Sequence, residues 1–264
     1  MKIGFIGMGN MAGAMIGGLV KNGLVAPQDI FGADVSEALV QSRASEYGIR
    51  TTKNNNEVVK EADYLVFAVK PQYAAEVIDG IKGEIREETV VISIMAGKTL
   101  KWLEEAIGHK QKIVRCMPNT AALVGEAITA ASPNEPVSED ELKTALEILK
   151  SFGRASVVPE RLMDAVVGLS GSGPAYVFMF IEALADGAVQ CGMPRAQAYE
   201  FATQLVYGSS KLMLETGKHP GELKDMVCSP AGTTIAAVKV LEEKGFRGAV
   251  IDAVEAAARR SKEL

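Results

Sequence analysis

The first 160 residues alternate short apolar, β-branched runs with amphipathic stretches. The runs are KIGFIG, DIFGAD, YLVFAV, TVVISI, KIVRCM, AITAAS and ASVVP. Amphipathic stretches follow most of them, and we expect helices from about Asn10 and over residues 36–47, 73–81, 100–107 and 139–152. This alternation predicts an α/β fold with a mostly parallel, doubly wound sheet and helices on both faces.

From about Glu160 the strand pattern ends and only helical patterns remain. Helices are expected over residues 175–191, 195–215, 235–244 and 249–261, punctuated by Gly and Pro. We therefore expect two domains, with residues 1–160 forming the α/β domain and residues 161–264 an all-α domain. No repeat or Gly/Ser linker separates them, so we expect a direct helical connection.

The helix expected over residues 175–191 is apolar on most of its surface. Its strongly polar residues, Glu182, Asp186 and Gln190, recur every four residues and form one narrow stripe. The rest of the surface must be covered, and we expect a second copy of the chain to cover it. The alternative is burial against the chain's own α/β domain.

Composition indicates a globular protein that acts on small molecules. The 264 residues are 48% hydrophobic and 23% charged, which is enough to close one or two cores. The net charge of −5 provides no basic surface for nucleic acid or for an acidic membrane. We expect neither as a partner.

The sequence favours a cytoplasmic protein. The N-terminal apolar run is short and broken by glycines, unlike a signal peptide. The longest unbroken apolar stretch, residues 175–181, is far shorter than the roughly 20 residues of a membrane span. The cysteines Cys116, Cys191 and Cys228 are odd in number and far apart, which fits reduced thiols better than disulfides.

Histidine chemistry has little support in this chain. The two histidines, His109 and His219, are distant in sequence and lie in polar, turn-like surroundings, GHKQ and GKHPG. We therefore expect neither a metal site nor a histidine-based catalytic triad.

The strongest chemical motif is a G-x-G-x-x-A pattern that follows the strand KIGFI and opens a helix. It consists of Gly7, Met8, Gly9, Asn10, Met11 and Ala12. In a Rossmann fold the first glycine permits a tight turn, the second lets the backbone approach a pyrophosphate, and the last position lets helix and strand pack closely. The motif predicts a Rossmann-like dinucleotide-binding domain; the alternative is a Gly-rich turn without a ligand.

Asp34 ends the second run, where a dinucleotide fold places the residue that meets the adenosine ribose. A carboxylate there accepts hydrogen bonds from the ribose hydroxyls. It would repel a 2′-phosphate by about 3–4 kcal/mol for unit charges roughly 4–5 Å apart at an effective dielectric of about 20. Asp34 therefore favours NADH over NADPH. The alternative is a solvated turn aspartate or a helix cap before Ser36.

Three further loops follow predicted strands and so face the same crevice of the sheet. The first is a Lys-Pro strand exit, which is often an ordinary turn but could bring a lysine to a phosphate or ribose. The other two suit the nicotinamide end of a dinucleotide. The loops contain Ala68, Val69, Lys70 and Pro71; Met95, Ala96 and Gly97; and Met117, Pro118, Asn119 and Thr120.

Two motifs in the second half suit an anion. LSGSGPA at 169–175 and SPAGTT at 229–234 each precede an expected helix. Ser229 before Pro230 predicts an N-cap followed by the first helical residue, and the N–H groups and threonine hydroxyls beyond them suit a carboxylate. Ordinary helix caps are the alternative.

The chain carries five motifs in order: GFIGMGNMAGAM, FAVKPQ, RCMPNT, LSGSGPAY and SPAGTTIAAV. In these motifs and their spacing it closely resembles the 1-pyrroline-5-carboxylate reductase family over nearly its whole length. The resemblance implies hydride transfer from NAD(P)H to the C=N bond of 1-pyrroline-5-carboxylate, which gives L-proline in the last step of proline biosynthesis. It also implies a helical domain that pairs two subunits, an active site built across that homodimer, and often rings of dimers.

The resemblance also implies residue roles. The SPAGTT segment resembles the family's substrate loop, whose members would hold the substrate carboxylate: Ser229, Gly232, Thr233 and Thr234. The Thr234 hydroxyl would lie near the ring nitrogen, and Asn55 by the adenosine ribose. The family usually has a small hydroxyl residue in place of Asp34, which helps to hold the 2′-phosphate of NADPH, so Asp34 departs from the family pattern.

Two rival functions are weaker. A β-hydroxyacid dehydrogenase carries a helix with the pattern G-x-x-G-x-G-x-x-x-K-x-x-x-N, whose glycines are matched here by Gly168, Gly171 and Gly173. Val177 and Ile181 replace its lysine and asparagine, so the proton acceptor for alcohol oxidation is missing. The second rival is a regulator that senses dinucleotides and dimerises through its helices, but the chain has no basic DNA-binding segment.

Overall fold

The computed structural model describes residues 1–107 and 111–263, so His109 lies outside the described residues. The chain divides into two compact units, one of Met1–Gly171 together with Ala257–Leu264 and one of Ser172–Ala256. The domain boundary expected near Glu160 stays a prediction.

One sheet of eight strands forms the first unit, and its predicted mostly parallel arrangement is confirmed. The strands are β1 Ile3–Ile6, β2 Ile30–Ala33, β3 Arg50–Thr52, β4 Tyr64–Phe67, β5 Val90–Ser93, β6 Lys112–Met117, β7 Ala127–Pro133 and β8 Gly153–Val157. Their spatial order is β3-β2-β1-β4-β5-β6-β7-β8. Among the strands of residues 1–107 and 111–263, β6 and β7 alone pair antiparallel. The chain order therefore reverses between β1 and β4, which places a crevice at the carboxyl ends of these two strands.

Helices cover both faces of this sheet. They are α1 Asn10–Lys21, α2 Glu37–Tyr47, α3 Asn55–Val59, α4 Ala74–Asp79, α5 Leu100–Ile107, α6 Glu139–Lys150 and α7 Met163–Val166. Successive side chains of a strand point to opposite faces, so Phe5 of β1 enters one core and Ile6 the other. The first core also contains Met15 of α1 and Leu149 of α6. The central strands are buried on both faces and thus read as continuous apolar runs.

A part-buried ion pair ties the end of the first unit to its sheet. Arg115 of β6 donates from Nη1 to Oε1 of Glu160 at 2.9 Å, and its side chain is only 8% exposed. The same oxygen accepts from the N–H of Leu100, the first residue of α5, at 2.7 Å. The carboxylate therefore neutralises a buried guanidinium and caps a helix N-terminus, where negative charge is stabilising.

From Glu160 to Gln190 the backbone is almost continuously helical. It passes through α7, a π-helical segment Val167–Gly171 and α8 Gly173–Gln190. By length and composition this stretch, Glu160–Gln190, could cross a membrane. It is longer than the unbroken apolar stretch of residues 175–181 because it includes a few polar and charged residues. Core helices of soluble proteins can be equally long and apolar.

Helices alone build the second unit, as expected. They are α8, α9 Arg195–Thr216, α10 Pro220–Val227, α11 Thr233–Glu243 and α12 Phe246–Lys262, whose last turns belong to the first unit. The fully buried hydrophobic residues of this unit are Ala185, Ala198 and Ala202, and a few partly buried side chains pack against them: Ile181, Leu184, Ala188, Val189 and Met193. Larger apolar side chains are more than half exposed, among them Phe178, Met179, Phe201, Leu205, Leu214 and Ile251. This small core joins α8 and α9 and leaves large apolar surfaces uncovered in the single chain, as expected of surfaces that a partner covers.

Candidate active site

Gly7 makes the turn between β1 and α1. Its φ of +90° lies where residues with a side chain are strained, and a Cβ there would come within 2.9 Å of the Ala68 carbonyl oxygen. The Gly7 N–H donates to the carbonyl of Ala33 at 2.8 Å, and the Ala68 N–H donates to Ile6 at 2.9 Å. The turn is thus fixed between the ends of β2 and β4, and the predicted glycine and Ala68–Pro71 loops are brought together.

Gly9 is the N-cap residue of α1 and faces open space. A Cβ on Gly9 would have no heavy atom within 4 Å, and no side chain caps the helix. The first backbone N–H groups of this 12-residue helix, from Asn10 and Met11 onward, therefore remain available. A diphosphate fits this cradle because both the N–H groups and the helix dipole favour an anion.

The side chain of Asp34 holds the backbone that follows β1 and the backbone that follows β2. Its Oδ2 accepts from the N–H of Met8 at 2.7 Å, and its Oδ1 accepts from the N–H of Ser36 at 2.9 Å. Ser36 itself caps α2, with its Oγ accepting from Leu39 N–H. Asp34 is therefore not the α2 cap. Each carboxylate oxygen still has a free lone-pair direction for a ribose hydroxyl.

The other predicted cofactor residues lie at the carboxyl edge of the same sheet. Lys70 is exposed and precedes a short 3₁₀ turn, Pro71–Tyr73. Asn55 begins α3 just after β3, beside the end of β2, where Asp34 N–H donates to Thr52. Val69 is half-buried between the glycine turn and this edge, where its side chain would contact a Cβ on Gly7.

Two loops extend this edge beyond β5 and β6. Ala96 is exposed and Gly97 has a φ of +75°, so the chain turns sharply before α5. Asn119 occupies the N-cap position of the short helix Thr120–Val124 without a side-chain cap, and its Oδ1 accepts from the N–H of Ile128 at 3.3 Å. That helix packs against α1. The loops after β1, β2, β4, β5 and β6 thus share one edge of the first unit.

The predicted substrate loop, residues 229–234, belongs to the second unit. The expectation that Ser229 caps a helix and Pro230 begins it is wrong, because α11 begins at Thr233 with Gly232 as its N-cap residue. The reason is Ala231, whose φ of +55° is left-handed and cannot belong to a right-handed helix. The N–H groups of Thr233 and Thr234 nevertheless open a helix, as the carboxylate hypothesis requires.

Cysteine and metal chemistry gain no support from the described residues. Cys116 on β6 is fully buried, and burial raises the pKa of its thiol, which disfavours the reactive thiolate. Within residues 1–107 and 111–263, no three His, Cys, Asp or Glu side chains are grouped so that they could hold a metal ion.

Arg43 is a neighbour of the glycine loop that sequence reasoning missed. Its Nε donates to the Met8 carbonyl at 3.2 Å although the two residues are 35 positions apart. No sequence motif marks Arg43, because the contact depends on how α2 packs against α1.

Comparison with known proteins identifies the family. Pyrroline-5-carboxylate reductase of Escherichia coli K12 is 51% identical over 263 residues, covering 100% of this chain and 98% of the relative. A family model for pyrroline-5-carboxylate reductase dimerisation matches residues 160–264, and one for coenzyme F420-dependent NADP oxidoreductases matches residues 2–97. The chain belongs to the pyrroline-5-carboxylate reductase family.

Solved structures agree with this assignment. A pyrroline-5-carboxylate reductase from Coxiella burnetii superimposes with a TM-score of 0.95 at 36% identity, covering 99% of this chain and 97% of that one. The Plasmodium falciparum pyrroline carboxylate reductase, crystallised with NADP bound, gives 0.89 at 33% identity over 100% of this chain and 97% of that one. The resemblance drawn from the five motifs is confirmed. As a member of this reductase family, the chain is an NAD(P)H-dependent oxidoreductase.

Replacing Ala231 with glycine should stabilise the reductase, since Ala231 has a left-handed backbone. Relief of that strain is worth about 1–2 kcal/mol, and the greater freedom of glycine in the unfolded chain cancels about 0.4–1 kcal/mol of it. The expected net gain of about 0.5–1 kcal/mol raises Tm by about 1–4 °C. Ala237→Gly, in the exposed middle of α11, is the matched control and should lower Tm. A lower Tm for Ala231→Gly would contradict the strain argument.

Proposed function

We propose that the protein reduces the C=N bond of 1-pyrroline-5-carboxylate to give L-proline, the last step of proline biosynthesis. The observation that carries this proposal is the match to pyrroline-5-carboxylate reductases along the entire chain. It is supported by the glycine turn and open helix N-terminus at the β1–β4 crevice, which suit a dinucleotide. The cofactor supplies the hydride when bound.

The reaction depends more on the alignment of substrate and cofactor than on strong acids or bases. When the imine nitrogen is protonated, the carbon of the C=N bond accepts hydride readily. The protein has mainly to hold the substrate ring against the nicotinamide in the orientation that allows transfer. We assign the diphosphate to the N–H groups of Gly9, Asn10 and Met11. The nicotinamide end is assigned to the loops with Lys70–Pro71, Ala96–Gly97 and Asn119.

The substrate carboxylate is assigned to the loop before α11. Backbone N–H groups at a helix start favour an anion, and Ser229, Gly232 and Thr233 stand around that start. The Thr234 side chain, half-buried in the first turn, is assigned to the ring nitrogen. Because an unactivated threonine is a weak acid, we assign it to orienting the N–H of the iminium, with the proton itself taken from solution.

We further propose that the reductase uses NADH at least as well as NADPH. The Asp34 carboxylate lies at the end of β2 with acceptor capacity left for the ribose hydroxyls. A 2′-phosphate at this position would meet a like charge.

The helical unit should pair two chains. Its core of three alanines and its exposed large apolar side chains support a homodimer, and the dimerisation model covers these helices. We extend the proposal to rings of such dimers and to an active site built across each dimer. We also propose that the protein is cytoplasmic, where its three free cysteines would remain reduced.

An absorbance assay tests reaction and cofactor together. Purified protein mixed with racemic pyrroline-5-carboxylate should oxidise NADH at least as fast as NADPH, followed by loss of the reduced-nicotinamide absorbance. Asp34→Ser should shift the ratio of kcat/KM values toward NADPH by about 10–100-fold, since solvent screens part of the repulsion. The ratio cancels any general damage to the loop. Oxidation of neither cofactor by the wild type would refute the proposed reaction, and a strong wild-type preference for NADPH would refute the role of Asp34.

Thr234→Ala tests the proposed contact with the ring nitrogen. If the hydroxyl hydrogen-bonds this nitrogen as its charge changes, kcat and kcat/KM should fall together by roughly ten- to a hundredfold. Thr203→Ala, an exposed position on α9, is the matched control and should leave both unchanged. A loss confined to KM would make Thr234 part of the carboxylate cradle alone. Unchanged kcat in a folded variant would remove it from the mechanism.

The oligomer prediction concerns mass in solution. Because the helical unit exposes its apolar surface in the single chain, light scattering at low micromolar concentration should give an even multiple of the 28.0 kDa chain mass. A stable species of 28.0 kDa would overturn the homodimer.

A further inference from the structure

The peptide groups of Met8, in the centre of the glycine loop, are held by two side chains of opposite charge. Asp34 Oδ2 accepts from the Met8 N–H at 2.7 Å, and Arg43 Nε donates to the Met8 carbonyl at 3.2 Å. The Met8 side chain is fully buried behind β2, where a Cβ on Gly32 would collide with its sulfur. Met8 is therefore fixed on three sides while its flanking glycines, Gly7 and Gly9, are the most conformationally free residues of the loop.

The Arg43 guanidinium lies against the first turn of α1. A Cβ on Gly13 would come within 2.6 Å of its Cζ, so glycine at this position is what admits the guanidinium. The Arg43 side chain is 14% exposed, and its Nη1 meets Glu46 Oε2 at 2.8 Å. The ring of Tyr47 lies 5.8 Å from its Cζ. A part-buried positive charge thus stands beside the helix turn whose N–H groups face the crevice.

We propose that Arg43 is a positioning residue for the dinucleotide, holding the glycine loop in its binding conformation through the Met8 carbonyl. This inference rests on the proposed use of a nicotinamide cofactor. Arg43 acts through the Met8 backbone, so it is not a catalytic residue. Asp34 restrains the same residue from its N–H side, so the two side chains together keep both backbone polar groups of Met8 in place.

The expected effect is on cofactor affinity. A loop whose competent conformation is only partly populated binds its ligand more weakly in proportion to that population. A charge-assisted hydrogen bond to a backbone carbonyl raises the population, and the guanidinium adds positive charge beside the anion-binding turn. Once the cofactor is bound at saturation, the chemistry on the imine is unaffected by Arg43.

The test compares NADH binding to the full-length wild type, Arg43→Met and Arg43→Lys by fluorescence titration. Arg43→Met removes both the hydrogen bond and the charge and should raise Kd about tenfold, which is about 1.4 kcal/mol. Arg43→Lys keeps a charge without the planar Nε donor and should raise Kd by about threefold. Hydrogen exchange of the cofactor-free protein should show faster exchange at the Met8 and Gly9 amides in Arg43→Met, and kcat at saturating NADH should stay within twofold of wild type.

Arg50→Met is the matched control. Arg50 also stacks on an aromatic ring, with its Cζ 4.2 Å from the Phe31 centroid, and also pairs with a glutamate, Glu61. It makes no hydrogen bond to the glycine loop, so its loss should leave the NADH Kd at the wild-type value even if Tm falls. Equal increases in Kd for Arg43→Met and Arg50→Met would mean that Arg43 has only a general structural role.

Each outcome decides the question. An unchanged Kd in Arg43→Met overturns the proposal, as does a loss of kcat without a change in Kd. If Arg43→Met does not fold, Arg43→Lys carries the test, and a wild-type Kd in that variant overturns the proposed hydrogen bond. If the wild type binds neither NADH nor NADPH, the proposed function fails before the role of Arg43 is reached.

Discussion

The site in the first unit depends on a close backbone approach at Gly7, where the chain turns from β1 into α1 in the space between the ends of β2 and β4. Any side chain at Gly7 would collide with the Ala68 carbonyl. With the turn this tight, α1 starts at the carboxyl edge of the sheet with its first N–H groups free. The same approach brings the Lys70–Pro71 exit beside the glycine loop. Binding capacity thus follows from backbone geometry more than from any charged side chain.

Two charged side chains also help to fix the conformation of the glycine loop. Asp34 and Arg43 hold opposite ends of the Met8 residue, and each has a second partner, Ser36 N–H for Asp34 and Glu46 for Arg43. The acidic group that we propose selects between cofactors therefore also holds the backbone of the glycine loop. Because Asp34 would affect both the choice of cofactor and the conformation of the glycine loop, a substitution at Asp34 is expected to change both.

The sequence predicted best what local patterns encode. The run KIVRCM became β6 and the stretch Leu100–Ile107 became α5 at the expected bounds, because the first is a compact run of mostly apolar residues and the second is clearly amphipathic. The elements β3, α3 and α10 were missed, since three to eight residues with few apolar side chains leave little periodic signal. The start of α11 was misplaced because the residue type of Ala231 does not predict its left-handed backbone conformation. The contacts of Arg43 with Met8 and of Glu160 with Arg115 join distant positions, and only packing reveals them.

The small core of the second unit has a consequence for how the reductase behaves in the cell. The fully buried residues of this unit are three alanines and its large apolar side chains are exposed in the single chain, so association with a second chain would link its folding to chain concentration by mass action. Dilution of the chain would then destabilise the helical unit, and a higher level of synthesis would stabilise it. At low chain concentration a smaller fraction of the helical units would be folded, so under the proposed function activity would fall more steeply than expression.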